Sequence, residues 1–274
     1  MATEARNPRS YGLADMTAEQ IVRLMDEEER NAFRAIEAVE SELAETAKRV
    51  AQTFSLGGRV VYVGAGTSGR IATMDAAEMP PTFGIEPDRF VALVAGGPEA
   101  GQRAIEDAED DLHGAISSIN SMHLTRNDVV IGLAASGSTP FVVGAVRHAR
   151  QKGVWTAGIS NNRKTPLLEE ADLGIFLDTG PEVLTGSTRL KAGTAQKLAL
   201  NRISTAAMVL SGKVVENLMV DVKAKNAKLK ERCTRIVTEL SNVTRDEAWE
   251  LLEAHQWNIR SVLEVVKTLS VASA

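Results

Sequence analysis

The chain has 274 residues, enough for one sizeable α/β core with a small appendage and too few for two full cores. Its 44 % apolar and 24 % charged residues exclude a disordered or fibrous chain. The net charge of −5, with 31 basic residues against 36 acidic and no dense basic stretch, excludes a surface that tracks a nucleic-acid backbone, so no nucleic-acid partner is expected.

The chain opens MATEARNPRS, without the apolar core of a signal peptide, and its single cysteine, Cys233, cannot form an internal disulfide. Both features lead to the expectation of a reducing cytoplasm. Apolar runs are short and interrupted by glycine or charge, so no membrane span is expected.

From Thr17 to Phe54, Ile21, Leu24, Ala32, Ile36 and Val39 recur at helical spacing and predict one or two long amphipathic helices. A β-branched run, Arg59–Val63, follows. Similar runs recur at Phe90–Ala95, Asp128–Ala134, Trp155–Ser160 and Leu173–Leu177, with helical patterns at Thr67–Ala77, Glu99–Ser121 and Pro140–Lys152 between them. Strands alternating with crossover helices predict an α/β fold built on a doubly wound, five-stranded parallel sheet.

A polar, glycine-punctuated segment then leads into a long apolar helix, Lys197 to about Leu210. Beyond Asn217 the composition shifts, and Lys223–Leu240, Thr244–His255 and Asn258–Leu269 read as three short helices, with Thr244 and Asn258 as N-caps. Trp249, Leu252, Trp257, Val262 and Val265 form the core of what resembles a ubiquitin-associated-type (UBA-like) three-helix bundle. The expected division is a helical segment over residues 1–55, the sheet domain over 56–216 and a C-terminal helical region over 217–274.

Two loops are suited to a phosphate. The first strand ends in Gly64-Ala-Gly66-Thr67-Ser68-Gly69-Arg70, which matches G-x-G-x-x-G in form. A dinucleotide site also needs an acidic residue after the second strand, and that strand ends in Ala95-Gly96-Gly97. What remains is backbone N–H groups at a helix N-terminus and the hydroxyls of Thr67 and Ser68, a set that suits one phosphate. The third strand ends in Ala135-Ser136-Gly137-Ser138-Thr139-Pro140, a second hydroxyl-rich turn. Taken singly, either loop is also an ordinary capped turn. In the strand order 2-1-3-4-5 the pair faces one crevice at the topological switch point, which favours a phosphate site.

Among the carboxylates, Glu78 sits at the predicted end of the helix that follows the first loop, where the helix dipole disfavours it, and Pro80 and Pro81 are expected to stop the helix there. Glu109 lies in an acidic cluster, Glu106 to Asp111, which as a charge run also reads as a solvated face. His113, His123, His148 and His255 are scattered and form no metal-ligand spacing, so no metal is expected.

VYVGAGTSGR, DAAEMPPTFG, AEDD, LAASGSTP, GPEVLTGSTRLKAGTAQK and NLMVDVKAKN resemble, in order and spacing, the signature segments of the N-acetylmuramic acid 6-phosphate etherases. The opening TEARNPRSYGLADMT is similar to the start of those enzymes. The resemblance implies a sugar isomerase (SIS) fold and a lyase that removes D-lactate from N-acetylmuramic acid 6-phosphate during recycling of cell-wall sugars. It implies Glu78 as proton donor and Glu109 as base, with their pKa values set apart as in other paired catalytic carboxylates. It further implies a sugar-phosphate site built from Gly66, Thr67, Ser68, Ser136, Ser138, Thr139, Glu182, Ser187, Thr188 and Lys191, a homodimer, and no cofactor. The chain departs from the family at Met79, where cysteine or a similar residue is usual, and at Ser138, where arginine is common; Arg70, Arg189 and Lys191 remain as candidate cations for the lactate carboxylate.

Two other readings fit the same loops: an aldose–ketose phosphate isomerase with a single base, and a non-catalytic sugar-phosphate sensor similar to the regulatory protein of glucokinase.

Overall fold

The computed structural model describes residues 1–101, 105–224 and 226–272. They form two units, one of residues 1–77 and 88–207 and one of residues 78–87 and 208–274.

The first unit opens with α1 (Ala18–Glu37) and α2 (Glu40–Ser55). Thr17 and Gln20 close a reciprocal capping box at the start of α1. Leu24, Ala32, Ile36, Leu43, Ala47 and Val50 are all buried, and α2 packs on the sheet. Most of the apolar stripe of the two helices is thus buried within the chain, while Val22 and Phe33 remain exposed.

Five strands follow: β1 (Val60–Gly64), β2 (Phe90–Val94), β3 (Val129–Leu133), β4 (Trp155–Ser160) and β5 (Leu173–Phe176). They are all parallel, in the order β2-β1-β3-β4-β5, with Gly64 beside Val94 and Leu133. Every residue of β1 and β3 is buried, which is why these strands read as unbroken apolar runs. Asp128 accepts the backbone N–H groups of Arg59 and Thr125, each at 2.7 Å, and so pins the starts of β1 and β3 together. Burial pushes its carboxyl up, but these bonds and the Arg59 guanidinium outweigh that and hold it below the usual carboxylate range.

Three helices differ from expectation. α3 (Gly66–Phe83) runs through Pro80 and Pro81 instead of stopping before them. A helical proline cannot donate to the carbonyl four residues back, so the carbonyls of Ala76 and Ala77 lose their helical partners, yet the chain keeps its course for one more turn. Gly84 ends it: its N–H bonds the Pro80 carbonyl at 3.0 Å, its φ is +64°, and a Cβ there would lie 1.9 Å from the Asp221 carbonyl oxygen. Glu78 consequently lies within the helix and not at its end.

The helix predicted over Glu99–Ser121 is broken. Short 3₁₀ turns at Pro98–Gly101 and Glu106–Asp110 precede α4 (Leu112–Ser121), and residues 102–104 lie outside the described residues. Asp111 starts α4 afresh by accepting the Gly114 N–H at 2.8 Å. After α5 (Pro140–Gln151) and α6 (Pro166–Glu170), α7 (Lys191–Leu210) begins six residues earlier than its apolar pattern suggests.

In the second unit a two-residue hairpin, β6 (Val214–Val215) and β7 (Leu218–Met219), was not foreseen, because strands this short carry no alternation. α8 (Ala227–Leu240), α9 (Arg245–Ala254) and α10 (Ile259–Ala272) pack around Cys233, Ile236, Val237, Leu252 and Val262. Trp249 and Trp257 meet edge to face with ring centres 4.8 Å apart. Among the described residues no helix is long and apolar enough to cross a membrane.

Candidate active site

Because β1 and β3 are parallel neighbours, the turns that follow them emerge at the same end of the sheet. A cavity of about 330 Å³ lies there. The first loop contributes Gly66, Thr67 and Ser68 to its wall, and the second contributes Ser136 and Thr139. Glu109 and Thr188 complete the set of sequence-named residues that the structure brings together, and Arg70 adds a cation to the wall.

The first turn of α3 presents N–H groups that have no acceptor within the helix, and the helix dipole favours an anion beside them. α3 is held in that position by a buried cluster. Tyr62 of β1 donates to Asp75 at 3.0 Å, and Lys197 and Ser204 of α7 reach the same carboxylate at 3.2 and 3.4 Å. Burial, then the Asp75 charge, raises the Tyr62 phenol well above its ordinary value, so it stays a donor.

Ser68 is also tied down: its hydroxyl donates to Gln196 at 2.8 Å, and Gln196 in turn donates to Asn161 at 3.1 Å. It offers the cavity its backbone N–H and an oxygen acceptor. Ser136 and Thr139 hydroxyls lie 3.3 Å apart, close enough to share a hydrogen bond or to grip one anion together.

Glu109 closes the opposite side. Gly66 has a φ of +52°, and a Cβ on it would lie 3.3 Å from Glu109 Oε1. The carboxylate therefore leans over the loop that is built to take an anion. A donor-lined pocket for a phosphate with the Glu109 carboxylate poised beside it can bind a phosphorylated sugar and exchange a proton with it.

The other five sequence-named residues lie outside this wall. Glu78 is exposed on α3, in the second unit. Ser138 is exposed, its backbone N–H bonded to the Ser136 hydroxyl at 3.2 Å, and Ser187 is half-buried. Lys191, expected as a pocket cation, is 2 % exposed and donates to Glu28 at 2.5 Å. Glu28 also accepts from Asn7 at 2.7 Å and from Arg9 at 2.9 Å. Burial alone pushes Glu28 up, but Lys191, Asn7 and Arg9 together bring it below its ordinary value. Glu182 is fully buried beside this cluster: Oε1 accepts the Ala192 N–H at 2.9 Å, and Oε2 has no partner among the described residues. Burial pushes its carboxyl up.

Sequence reasoning missed Thr3 and Glu4, which line the cavity. The only signal was their place in the opening segment that resembles the etherases. Among the described residues no three His, Cys, Asp or Glu side chains gather as a metal-ligand group.

Residues 42–150 match the glucokinase regulatory protein N-terminal SIS domain, and residues 105–205 match the SIS domain. The N-acetylmuramic acid 6-phosphate etherase of Geobacillus thermodenitrificans is 47 % identical over 266 residues, spanning 97 % of this chain and 90 % of that protein. The N-acetylmuramic acid 6-phosphate etherase 2 of Vibrio parahaemolyticus is 45 % identical over 93 % of this chain and 85 % of its own, and the etherase of Yersinia pestis is 44 % identical over 100 % and 93 %. Of solved structures, a protein of E. coli CFT073 in complex with A5P aligns with a TM-score of 0.53 at 20 % identity, covering 74 % of this chain and 97 % of that one. A phosphoheptose isomerase from Francisella tularensis aligns at 0.53 and 16 % identity, covering 72 % and 100 %. At that identity the two solved structures share the fold and nothing finer. Identity of 44 to 47 % running through nearly the whole length decides more: this chain belongs to the N-acetylmuramic acid 6-phosphate etherase family.

Proposed function

We propose that the chain is a lyase that cleaves the D-lactyl ether of N-acetylmuramic acid 6-phosphate, giving N-acetylglucosamine 6-phosphate and D-lactate in the recycling of cell-wall amino sugars. Among the geometric observations, the cavity shared by the two hydroxyl-bearing loops and Glu109 carries this reading, and the full-length likeness to curated etherases supplies the substrate.

The phosphate lies against the N–H groups of Gly66 to Ser68 and the hydroxyls of Thr67, Ser136 and Thr139. That leaves the sugar ring toward Glu109. In the open-chain aldehyde the carbonyl at C1 acidifies the C2 proton, and Glu109 removes it as general base. The electron pair forms the C2–C3 double bond as the C3–O bond to lactate breaks, and a general acid protonates the departing oxygen. Water then adds at C3 and a proton returns to C2, restoring the sugar with a hydroxyl where lactate stood.

Glu78 is assigned as the proton donor on the likeness of DAAEMPPTFG to the family's segment. Arg70 is the cation available to the lactate carboxylate, since Ser138 carries no charge. No cofactor enters this scheme, because every step moves a proton or an oxygen leaving group.

The active unit in this reading is a homodimer working in the cytoplasm. Val22 and Phe33, 59 % and 51 % exposed on one face of α1, support a second copy docking there. Light scattering on active protein tests it, and a monomeric mass would refute it.

Incubation of the pure protein with N-acetylmuramic acid 6-phosphate and assay of D-lactate tests the activity itself. Release of D-lactate separates the etherase from an aldose–ketose isomerase, and binding of the substrate without turnover would point to a sensor.

A further inference from the structure

The cavity wall includes residues of the opening segment. Thr3 and Glu4, on a single 3₁₀ turn (Ala2–Glu4), lie in its wall. This segment is tied down twice.

Thr3 is 1 % exposed. Its N–H donates to Asn162 Oδ1 at 3.3 Å, its hydroxyl accepts from Asn162 Nδ2 at 2.9 Å, and its carbonyl accepts the Gly186 N–H at 3.2 Å. Asn162 Nδ2 also donates to the carbonyl of Ala135, at 2.9 Å, so the anchor of Thr3 is the second hydroxyl-bearing loop itself. Four residues further on, Asn7 is 3 % exposed and donates to Glu28 at 2.7 Å and to the Pro181 carbonyl at 3.2 Å. The buried group of Glu28 and Lys191, which the reaction does not use, thereby acquires a role: it holds the second anchor of the N-terminal segment.

Glu4 lies between the two anchors. Its Oε2 is 3.2 Å from the point where a side chain on Gly186 would begin, and among the described residues the carboxylate has neither a hydrogen-bond nor an ion-pair partner. An ionised carboxylate only accepts hydrogen bonds, and it repels a phosphate. It is therefore complementary to the part of the ligand that carries donors, the sugar hydroxyls and the amide N–H.

We infer that Glu4 is a substrate-contacting residue that accepts a hydrogen bond from a hydroxyl or the amide N–H of the bound sugar, and that residues 1–9 form a strap that holds it across the cavity. The inference rests on the sugar-phosphate reading of the cavity and not on the ether cleavage. Thr3 is the positioning residue of the strap.

Titration calorimetry with two ligands, inorganic phosphate and N-acetylglucosamine 6-phosphate, tests it on the full-length protein. Glu4→Ala is expected to weaken N-acetylglucosamine 6-phosphate about tenfold or more, the scale of a lost hydrogen bond to a charged group, and to change phosphate affinity by no more than about twofold. Glu4→Gln keeps one acceptor oxygen and is expected to fall between Glu4→Ala and the parent. Thr3→Val is expected to weaken the sugar phosphate in the parent but to add little in the Glu4→Ala background, a non-additivity that a general loss of stability would not produce. Unchanged sugar-phosphate affinity in Glu4→Ala overturns the inference, and so does an equal loss for both ligands. Because the readout is binding, these outcomes are independent of whether the parent protein releases D-lactate.

Discussion

Glu109 Oε1 stands 3.3 Å from the place a β-carbon would occupy on Gly66, and Gly66 holds a φ of +52°. Two demands meet at that glycine: a backbone conformation that side chains disfavour, and a carboxylate slightly inside the van der Waals distance of any β-carbon. Gly66→Ala would strain the turn by about 1 kcal/mol and push Glu109 away from the phosphate loop. Turnover is expected to fall about tenfold or more while the melting temperature drops by only a few degrees, since a misplaced base costs rate more than stability. Native turnover in a folded Gly66→Ala protein would show that the closeness of the two residues is incidental.

The two carboxylates of the proposed scheme are tested by amide replacement. Glu109→Gln and Glu78→Gln are each expected to lower D-lactate release by about a hundredfold or more, the scale of a lost general acid or base. Circular dichroism should show both folded. The two variants carry different weight: Glu109 lies in the cavity wall, whereas Glu78 is exposed on α3 and rests on likeness to the family. Full activity in Glu78→Gln would remove it from the mechanism without disturbing the role of Glu109.

Elimination followed by hydration leaves isotopic marks. Product formed in heavy water should carry deuterium at C2, because Glu109 exchanges its proton with solvent before returning it. In ¹⁸O-water the label should appear in the C3 hydroxyl, read by mass spectrometry. An unlabelled C3 oxygen would mean that the bond broken is the one on the lactate side of the ether, and the C2 base would have no task.

The five strands and the two hydroxyl-bearing turns were legible in the sequence because each rests on local information, β-branched runs and glycine-bounded turns, while the strand order came with the doubly wound fold class. What was not legible depends on distant partners. Lysine is seldom buried, and nothing near Lys191 announces that Glu28, 163 positions away, will take its charge. Thr3 meets Asn162 across 159 positions, so the N-terminal segment read as an opening and not as part of a cavity wall. The prolines after Glu78 misled for the opposite reason: a local rule predicted a stop, while Gly84 supplied a later and better one.

Glu182 should show its burial in the pH dependence of stability. Its folded-state pKa is raised, first by burial, so the native state keeps a proton that the unfolded chain gives up near the ordinary glutamate value. Its contribution therefore favours folding at low pH and is lost as pH rises from that ordinary value through the raised one. Glu182→Gln removes this slope. The melting temperature of the variant relative to the parent should increase between about pH 4.5 and pH 7.5. A difference that is flat or falls across that range would mean the carboxyl ionises freely in the fold.

The buried pair of Lys191 and Glu28 allows an asymmetric test. Each side chain is almost fully buried, so removing one partner strands a charge in a medium that solvates it poorly. The two truncations are not equivalent. Glu28→Gln leaves the Lys191 ammonium without its carboxylate and is expected to cost about 3 to 5 kcal/mol in urea unfolding. Lys191→Met keeps the stem that packs in the core and leaves Glu28 still bonded to Asn7 and Arg9, so its cost should be the smaller of the two. The double variant should be less destabilised than the sum, because no unpaired charge remains. The pH profile gives a second reading. Glu28 has a folded-state pKa below its ordinary value, so the stability it contributes is present above the unfolded value and is lost as pH falls through the depressed one. Lys191→Met weakens that depression, so the acid-induced loss of stability from Glu28 should be smaller than in the parent and complete at a higher pH. Equal costs for the two single variants would show that Asn7 and Arg9 do not share the charge of Glu28, and strict additivity in the double would show that Lys191 and Glu28 are not energetically coupled.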